Sequence, residues 1–146
     1  QSLGMREPER AQEAGKYAVW MGYAAASLIA AVFVFWGGPL MSFFSGEERV
    51  ISQGGRLMIF VAASCVPCAG NTIYAGILRG AGDTKSVARI TLRIVAILRP
   101  FAAWLFCYPM GLHQTGVWTA FALAHVLRWI LLYAHWRTGV WKQITL

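Results

Sequence analysis

Tyr74-Ala-Gly-Ile-Leu-Arg-Gly-Ala-Gly-Asp-Thr-Lys85 separates two long apolar segments, and the organisation of the chain follows from it. Gly80 and Gly82 can adopt the left-handed conformation that ends a helix, and Asp83 can cap the helix that follows. Basic residues surround the turn, namely Arg79, Lys85, Arg89 and Arg93. This pattern predicts a hairpin at residues 79–85 between two membrane-spanning helices. The positive-inside rule places the hairpin in the cytoplasm.

The composition points to a membrane protein. Of the 146 residues, 58% are hydrophobic and only 13% are charged, whereas about 25% are charged in a typical soluble domain. The net charge of +7 does not indicate nucleic-acid binding, because the basic residues lie at the ends of apolar runs and form no basic face on a polar element. We therefore expect an all-α, polytopic protein whose main partner is the lipid bilayer.

The apolar runs predict four transmembrane helices, at about residues 16–44, 56–78, 84–108 and 116–136. At about 1.5 Å per residue, the first run is longer than the roughly 30 Å hydrocarbon core. We therefore expect it to bend or end at Gly37-Gly38-Pro39. Ser45-Gly-Glu-Glu48 has the spacing of a capping box and predicts a short surface helix that breaks at Gly54-Gly55.

Two further expectations concern the third and fourth helices. Pro100 should kink the third helix. Thr115 should cap the fourth, which is predicted to begin at Gly116. The aromatic and basic tail after Trp136 is expected to anchor at the membrane interface.

Lysine and arginine residues are distributed unequally between the two sides of the predicted membrane. One side holds Arg6, Arg10, Lys16, Arg79, Lys85, Arg89, Arg93, Arg137 and Lys142; the other holds Arg49 and Arg56. This bias predicts that both ends of the chain are cytoplasmic in a multi-pass inner-membrane protein.

Polar residues inside predicted membrane helices are costly, and they are therefore candidates for function. Asn71 and Thr72 are candidates to line a cavity, although such residues also form hydrogen bonds between helices. Tyr74 can either contact a flat cation or pack in the core. Arg99 can bind an anionic headgroup, pair with an acid, or extend to the interface. His125 can relay protons or pack between helices.

The sequence contains no pattern typical of an enzyme. It has no Ser/His/Asp or Cys/His constellation and no metal-ligand set, so we predict no catalytic residue and no metal. Cys65-Val-Pro-Cys68 has the C-x-x-C form, but without a strand–helix context we interpret it as two small residues packed in a helix. Gly80-Ala-Gly82 lacks the complete G-x-G-x-x-G pattern of a nucleotide-binding loop. Asp83 is instead expected to fix the hairpin as a cap that also meets Arg79 or Lys85.

The chain resembles the C-terminal lobe of the multidrug and toxic compound extrusion (MATE) family. Gly76-Ile-Leu-Arg-Gly-Ala-Gly-Asp-Thr84 is similar to the family's L-R-G-A-G-D-T hairpin, and Gln1-Ser-Leu-Gly4 to its G-Q-x-L-G motif. Arg99-Pro100 and Gly116-Val-Trp118 also fit. The family has twelve membrane helices in two six-helix lobes. The resemblance therefore implies that this chain supplies the last four and that an N-terminal lobe is missing.

The resemblance also implies a function, which is cation-coupled export of small organic or drug-like compounds by alternating access. Coupling in the family depends on carboxylates inside the membrane, but no acidic residue here falls in the middle of a helix; the six are Glu7, Glu9, Glu13, Glu47, Glu48 and Asp83. Asn71 stands where some members have an acid. We therefore expect no other cofactor, and a coupling H⁺ or Na⁺ bound outside this fragment.

Two alternatives remain open at the level of the sequence. One is a lipid-linked oligosaccharide flippase of the same superfamily, in which Arg93 and Arg99 would hold an anionic headgroup. The other is a membrane subunit that transports nothing.

Overall fold

The computed structural model describes residues 8–143 of the chain, and side chains from 13 to 141. The elements in order are α1 Pro8–Phe44, α2 Glu48–Gly80, α3 Thr84–Leu92, a π-helical segment Arg93–Leu98, α4 Arg99–Cys107, α5 His113–Arg137 and a final 3-10 turn Val140–Gln143. The Gln1–Gly4 motif and the side chains of Arg6, Arg10 and Lys142 lie outside the described residues.

Four segments within the described part of the chain are long and apolar enough to cross a membrane. They are Glu13–Phe44, Glu48–Gly80, Thr84–Cys107 and His113–Arg137. The third span consists of α3, the π-helical segment and α4. The chain is therefore all-α and polytopic, as the apolar runs predict.

α1 and α2 pack along each other without the breaks expected at their glycines. α1 begins at Pro8, earlier than the predicted residue 16, and continues through Gly37-Gly38-Pro39 to Phe44. α2 begins at Glu48 and continues through Gly54-Gly55. A Cβ atom on Gly37 would lie 3.0 Å from Cβ of Met58, and one on Gly54 would lie 2.5 Å from Cε of Met41. The glycines thus allow the two helices to approach closely, as small residues do in membranes, and this packing outweighs their low helix propensity.

The capping box predicted at Ser45 is wrong. α2 begins at Glu48 after Glu47, and Oγ of Ser45 accepts a hydrogen bond of 3.2 Å from the Glu47 backbone N–H instead. The predicted cap Thr115 is also wrong, because α5 begins at His113. The Thr115 hydroxyl donates backward to the Leu112 carbonyl at 2.5 Å. Both side chains form hydrogen bonds with the backbone of a residue two or three positions away, and such local bonds compete with capping.

The third span contains a π-helical segment, Arg93–Leu98, immediately before Arg99-Pro100. The backbone N–H of Arg99 donates to the Ile94 carbonyl, which is the wider spacing of a π-helix. Proline has no N–H and collides with the preceding turn of an α-helix. A locally wider helix accommodates Pro100, where the sequence predicted only a kink.

The core lies at the end of the bundle that carries the hairpin. Its buried members come from α1, α2, the hairpin, α3, α5 and the tail, and they are Val19, Tyr74, Ala75, Leu78, Ala81, Val87, Leu132 and Trp141. Trp141, part of the tail predicted as an interface anchor, is only 1% exposed. Gly139, with φ of 71°, reverses the chain after α5 so that Trp141 packs against the core. The indole N–H of Trp141 donates to the Trp136 carbonyl at 2.9 Å.

Candidate functional site

The hairpin between α2 and α3 is closed by two backbone hydrogen bonds. The N–H of Gly82 donates to the Arg79 carbonyl at 3.0 Å, and the N–H of Asp83 donates to the Leu78 carbonyl at 2.9 Å. These are the paired bonds of a Schellman motif, whose left-handed residue is Gly82 with φ of 89°. Gly80 remains inside α2, so only one of the two predicted glycines takes the left-handed conformation.

Asp83 caps α3 as predicted, but its charge partner differs from the predicted one. Its Oδ1 accepts a hydrogen bond of 3.2 Å from the Ser86 backbone N–H. Its Oδ2 accepts a hydrogen bond of 2.6 Å from Nε2 of His135, in the last turn of α5. The expected partners Arg79 and Lys85 are exposed instead. Asp83 therefore joins the hairpin to α5 across 52 residues of sequence.

The electrostatics of Asp83 favour its ionised form. Burial of the carboxyl, which is 7% exposed, raises its pKa. The hydrogen bonds from Ser86 and His135 and the nearby His135 lower the pKa further than burial raises it, so it lies below its ordinary value.

Asn71 of α2 and His125 of α5 meet in the interior of the bundle. Nδ2 of Asn71 donates to the His125 carbonyl at 3.0 Å and lies 3.4 Å from Nδ1 of the same histidine. Asn71 is 2% exposed, and its Oδ1 is buried with no partner among the described residues. A buried carbonyl oxygen without a donor is costly, so this atom is available to a hydrogen-bond donor.

The structure places Thr72 and Tyr74 away from this pair. The Thr72 hydroxyl donates to the Cys68 carbonyl of its own helix at 3.0 Å, at an exposed position. Tyr74 is 4% exposed and packs against the rings of Tyr133 and Trp136, with centroid distances of 5.6 and 5.4 Å. Tyr74 thus belongs to the core.

Arg99 of α4 is connected to the same region through an aromatic ring. Its guanidinium carbon lies 4.4 Å from the ring centroid of Phe121. The Phe121 ring in turn lies 4.6 Å from that of His125. One turn further along α5, Nε of Arg128 is buried with no hydrogen-bond partner in the described part of the chain. The cluster Asn71, His125, Phe121 and Arg99 therefore links α2, α4 and α5 within the helix bundle.

Comparison with known proteins identifies the family of this chain. The family model described as MatE matches residues 1–105, which include the hairpin, α2 and Arg99. The chain belongs to the MatE family.

Curated relatives of this MatE chain are named as multidrug resistance proteins or, in one case, as a transporter. It is 29% identical over 145 residues to a probable multidrug resistance protein NorM of Mannheimia succiniciproducens. The aligned region covers 91% of this chain and 30% of that protein. It is 27% identical over 124 residues to an uncharacterized transporter YisQ of Bacillus subtilis, covering 84% of this chain and 27% of the relative. A multidrug resistance protein MdtK of Photorhabdus laumondii is 23% identical, with coverage of 91% and 30%. No solved structure matches the chain.

The MatE chain thus spans about 30% of the length of the curated relatives it matches. Two residues that the sequence analysis did not predict, His135 and Phe121, each contact a predicted site residue. For Phe121, the only signal in the sequence is its spacing from His125, which places the two residues on one face of a helix. The Asp83–His135 contact has no local signal. Cys65 and Cys68 are free thiols.

Proposed function

We propose that this chain forms part of a secondary active transporter that exports small organic or drug-like compounds. The observation that carries the proposal is the MatE match over residues 1–105, together with relatives named multidrug resistance proteins. Four membrane-spanning segments are consistent with such a role. We expect the chain to have no enzymatic activity of its own.

The complete protein would contain twelve helices in two lobes and work by alternating access. This chain would supply four helices of the C-terminal lobe, and its partners would be the lipid bilayer, the small organic substrate and the N-terminal lobe. The roughly 30% coverage of the relatives supports a larger protein. The distribution of lysine and arginine supports cytoplasmic locations for both ends of the chain and for the hairpin.

The contribution of this chain to the substrate path would come from the cluster around Asn71 and His125. The unpartnered Oδ1 of Asn71 supports this role, because intramembrane polar groups without partners mark pathways. Arg99 would border the same path through Phe121. Thr72, whose hydroxyl is at an exposed position, would lie outside the substrate path. Tyr74 would support the path by packing in the core.

The coupling carboxylate would lie in another part of the complete protein. In the described residues, Glu13 and Glu48 stand at the ends of spans, and Asp83 is engaged by Ser86 and His135. None of these is placed to bind a coupling ion in the middle of the membrane. We therefore expect the H⁺ or Na⁺ site outside this fragment.

The test is transport by the complete protein. The whole gene would be expressed in a bacterial host that lacks its own multidrug exporters, and uptake of a panel of fluorescent organic compounds into inverted membrane vesicles would be followed, because export from the cell corresponds to uptake into such vesicles. We expect movement that requires an H⁺ or Na⁺ gradient and stops when an ionophore dissipates it. Gradient-independent accumulation of the whole panel, equal to that in vesicles without the protein, would contradict the proposal.

A further inference from the structure

A groove of about 560 Å³ lies along α3 at the hairpin end of the bundle. We call it the α3 groove. Arg79, near the end of α2, lines its mouth together with Thr84, the first residue of α3. The rest of the groove is lined by residues of α3 and the π-helical segment that recur every three or four positions, and so form one stripe along the helix. They are Val87, Ala88, Thr91, Leu92, Val95 and Ala96.

The apolar part of the α3 groove has the length of a lipid chain. Twelve residues separate Thr84 from Ala96, which at about 1.5 Å per residue is roughly 18 Å. One leaflet contributes about half of the roughly 30 Å hydrocarbon core. Ala88 and Ala96 are small, whereas Leu92 and Val95 project outward and are 64% and 40% exposed. The stripe therefore forms a shallow apolar channel that reaches from the hairpin through one leaflet.

The mouth of the α3 groove carries positive charge. Arg79 is exposed there, and Lys85 and Arg89 are exposed in the first turns of α3. No acidic residue lines the groove in the described part of the chain. The nearest acid in sequence, Asp83, is buried and accepts hydrogen bonds from Ser86 and His135. A guanidinium group beside a threonine hydroxyl offers the donors that a phosphate group requires.

We propose that the α3 groove binds one anionic phospholipid of the cytoplasmic leaflet. The phosphate would lie at Arg79 and Thr84, and one acyl chain would follow the apolar stripe toward Ala96. The inference goes beyond the proposed export function, and it rests on the proposed cytoplasmic location of the hairpin. Basic pockets on the cytoplasmic side of membrane helices attract anionic headgroups, whereas the cationic group of a zwitterionic choline lipid would gain nothing from Arg79.

Two lipids that share their acyl chains test the headgroup preference. Palmitoyl-oleoyl phosphatidylglycerol is anionic, and palmitoyl-oleoyl phosphatidylcholine is zwitterionic. Each would be titrated into the purified complete protein in detergent, and native mass spectrometry would give the dissociation constant of the first bound lipid. We expect phosphatidylglycerol to bind about fivefold or more tightly, which is the effect of one basic residue at a membrane surface.

A substitution at the mouth of the groove assigns this preference to Arg79. Arg79→Gln should weaken phosphatidylglycerol binding about fivefold and leave phosphatidylcholine binding unchanged. Arg49→Gln makes the same change of charge at an exposed position in the first turn of α2, at the other end of that helix. This matched control should change neither dissociation constant.

A second substitution tests the acyl-chain channel. Ala88→Leu would fill the groove at an exposed position. It should weaken phosphatidylglycerol binding roughly tenfold, because displacing the chain by about two methylene groups has an effect of that size. Ala25→Leu, at an exposed position of α1 outside the groove, is the control and should leave the dissociation constant unchanged.

Three results would overturn the proposal. The first is equal affinity of the wild-type protein for the two lipids, a result that does not depend on how any variant folds. The second is an Arg79→Gln protein that keeps the wild-type preference for phosphatidylglycerol. The third is an Ala88→Leu protein with unchanged affinity, because another helix of the complete protein would then fill the groove. The gradient-dependent uptake assay decides the export function separately, since lipid binding is measured without transport.

Discussion

Nε2 of His135 lies 2.6 Å from Oδ2 of Asp83, and this contact joins the end of α5 to the turn between α2 and α3. The same carboxylate caps α3 through its other oxygen. Around the pair, Leu78, Val87 and Trp141 are buried in one core. One side chain thus fixes the position of three elements, and the family hairpin motif acts as a tertiary junction as well as a turn.

Removing either partner of this junction should destabilise the hairpin end. Asp83→Asn keeps an oxygen that can cap α3 but removes the charge, and we expect a loss of about 1–3 kcal/mol because His135 loses its partner. His135→Gln should cost a similar amount, and the double variant should cost less than the sum of the two. Thermal unfolding of the complete protein in detergent measures this. Additive losses would show that the two residues do not interact.

The contribution of Asp83 should depend on pH in a defined direction. Its pKa in the folded protein lies below its ordinary value of 3.8, so the ionised form is favoured by folding. The stabilisation is complete above pH 3.8 and is lost as the pH falls through the lower folded value. The difference in melting temperature between the wild type and Asp83→Asn should therefore shrink as the pH falls below about pH 3.8. A difference that grows on acidification would contradict this sign.

Glycine should be required where two backbones meet. A Cβ atom on Gly116 would lie 2.8 Å from the Phe106 carbonyl carbon and 2.9 Å from the Cys107 nitrogen, and backbone atoms cannot move aside cheaply. Gly116→Ala should therefore destabilise the protein by about 1–3 kcal/mol. Gly76→Ala is the matched control, because nothing lies within 4 Å of its added atom. If the two variants unfold at the same temperature, the close approach of α4 and α5 is not required.

Trp141 should be needed for the core although it lies beyond the last span. Trp141→Ala removes a nearly buried ring, and we expect a loss of about 3–5 kcal/mol. Trp20→Ala, at a position that is exposed in this structure, should cost much less. Denaturation monitored by circular dichroism compares the two, and equal losses would argue against the packed position of the tail.

The orientation of the chain is open to chemical labelling. In a variant of the complete protein with Cys65, Cys68 and Cys107 replaced by serine, a cysteine at Lys85 should react with an impermeant maleimide only in inverted vesicles. A cysteine at Arg49 should react only from the outside of intact cells. The reverse pattern would show that the hairpin is extracytoplasmic, contrary to the positive-inside rule.

Sequence alone was sufficient for the features that depend on local chemistry. The four spans follow from apolar runs whose length matches the bilayer. The cap at Asp83 and the turn at Gly82 follow from the conformations that each residue type favours. Local rules failed at Gly37-Gly38-Pro39 and Gly54-Gly55, because they treat glycine as a helix breaker and do not include the neighbouring helix that packs on it.

Only the tertiary structure determined which side chains meet. Asp83 pairs with His135 rather than with the nearby Arg79 or Lys85, and Asn71 pairs with His125, although each pair is separated by more than 50 residues. Contacts of this kind depend on how the helices are arranged in space, which no local periodicity encodes. The hydrophobic pattern of the sequence thus determined that the chain crosses the membrane, and helix packing decided which polar groups of the described residues are paired and which are not.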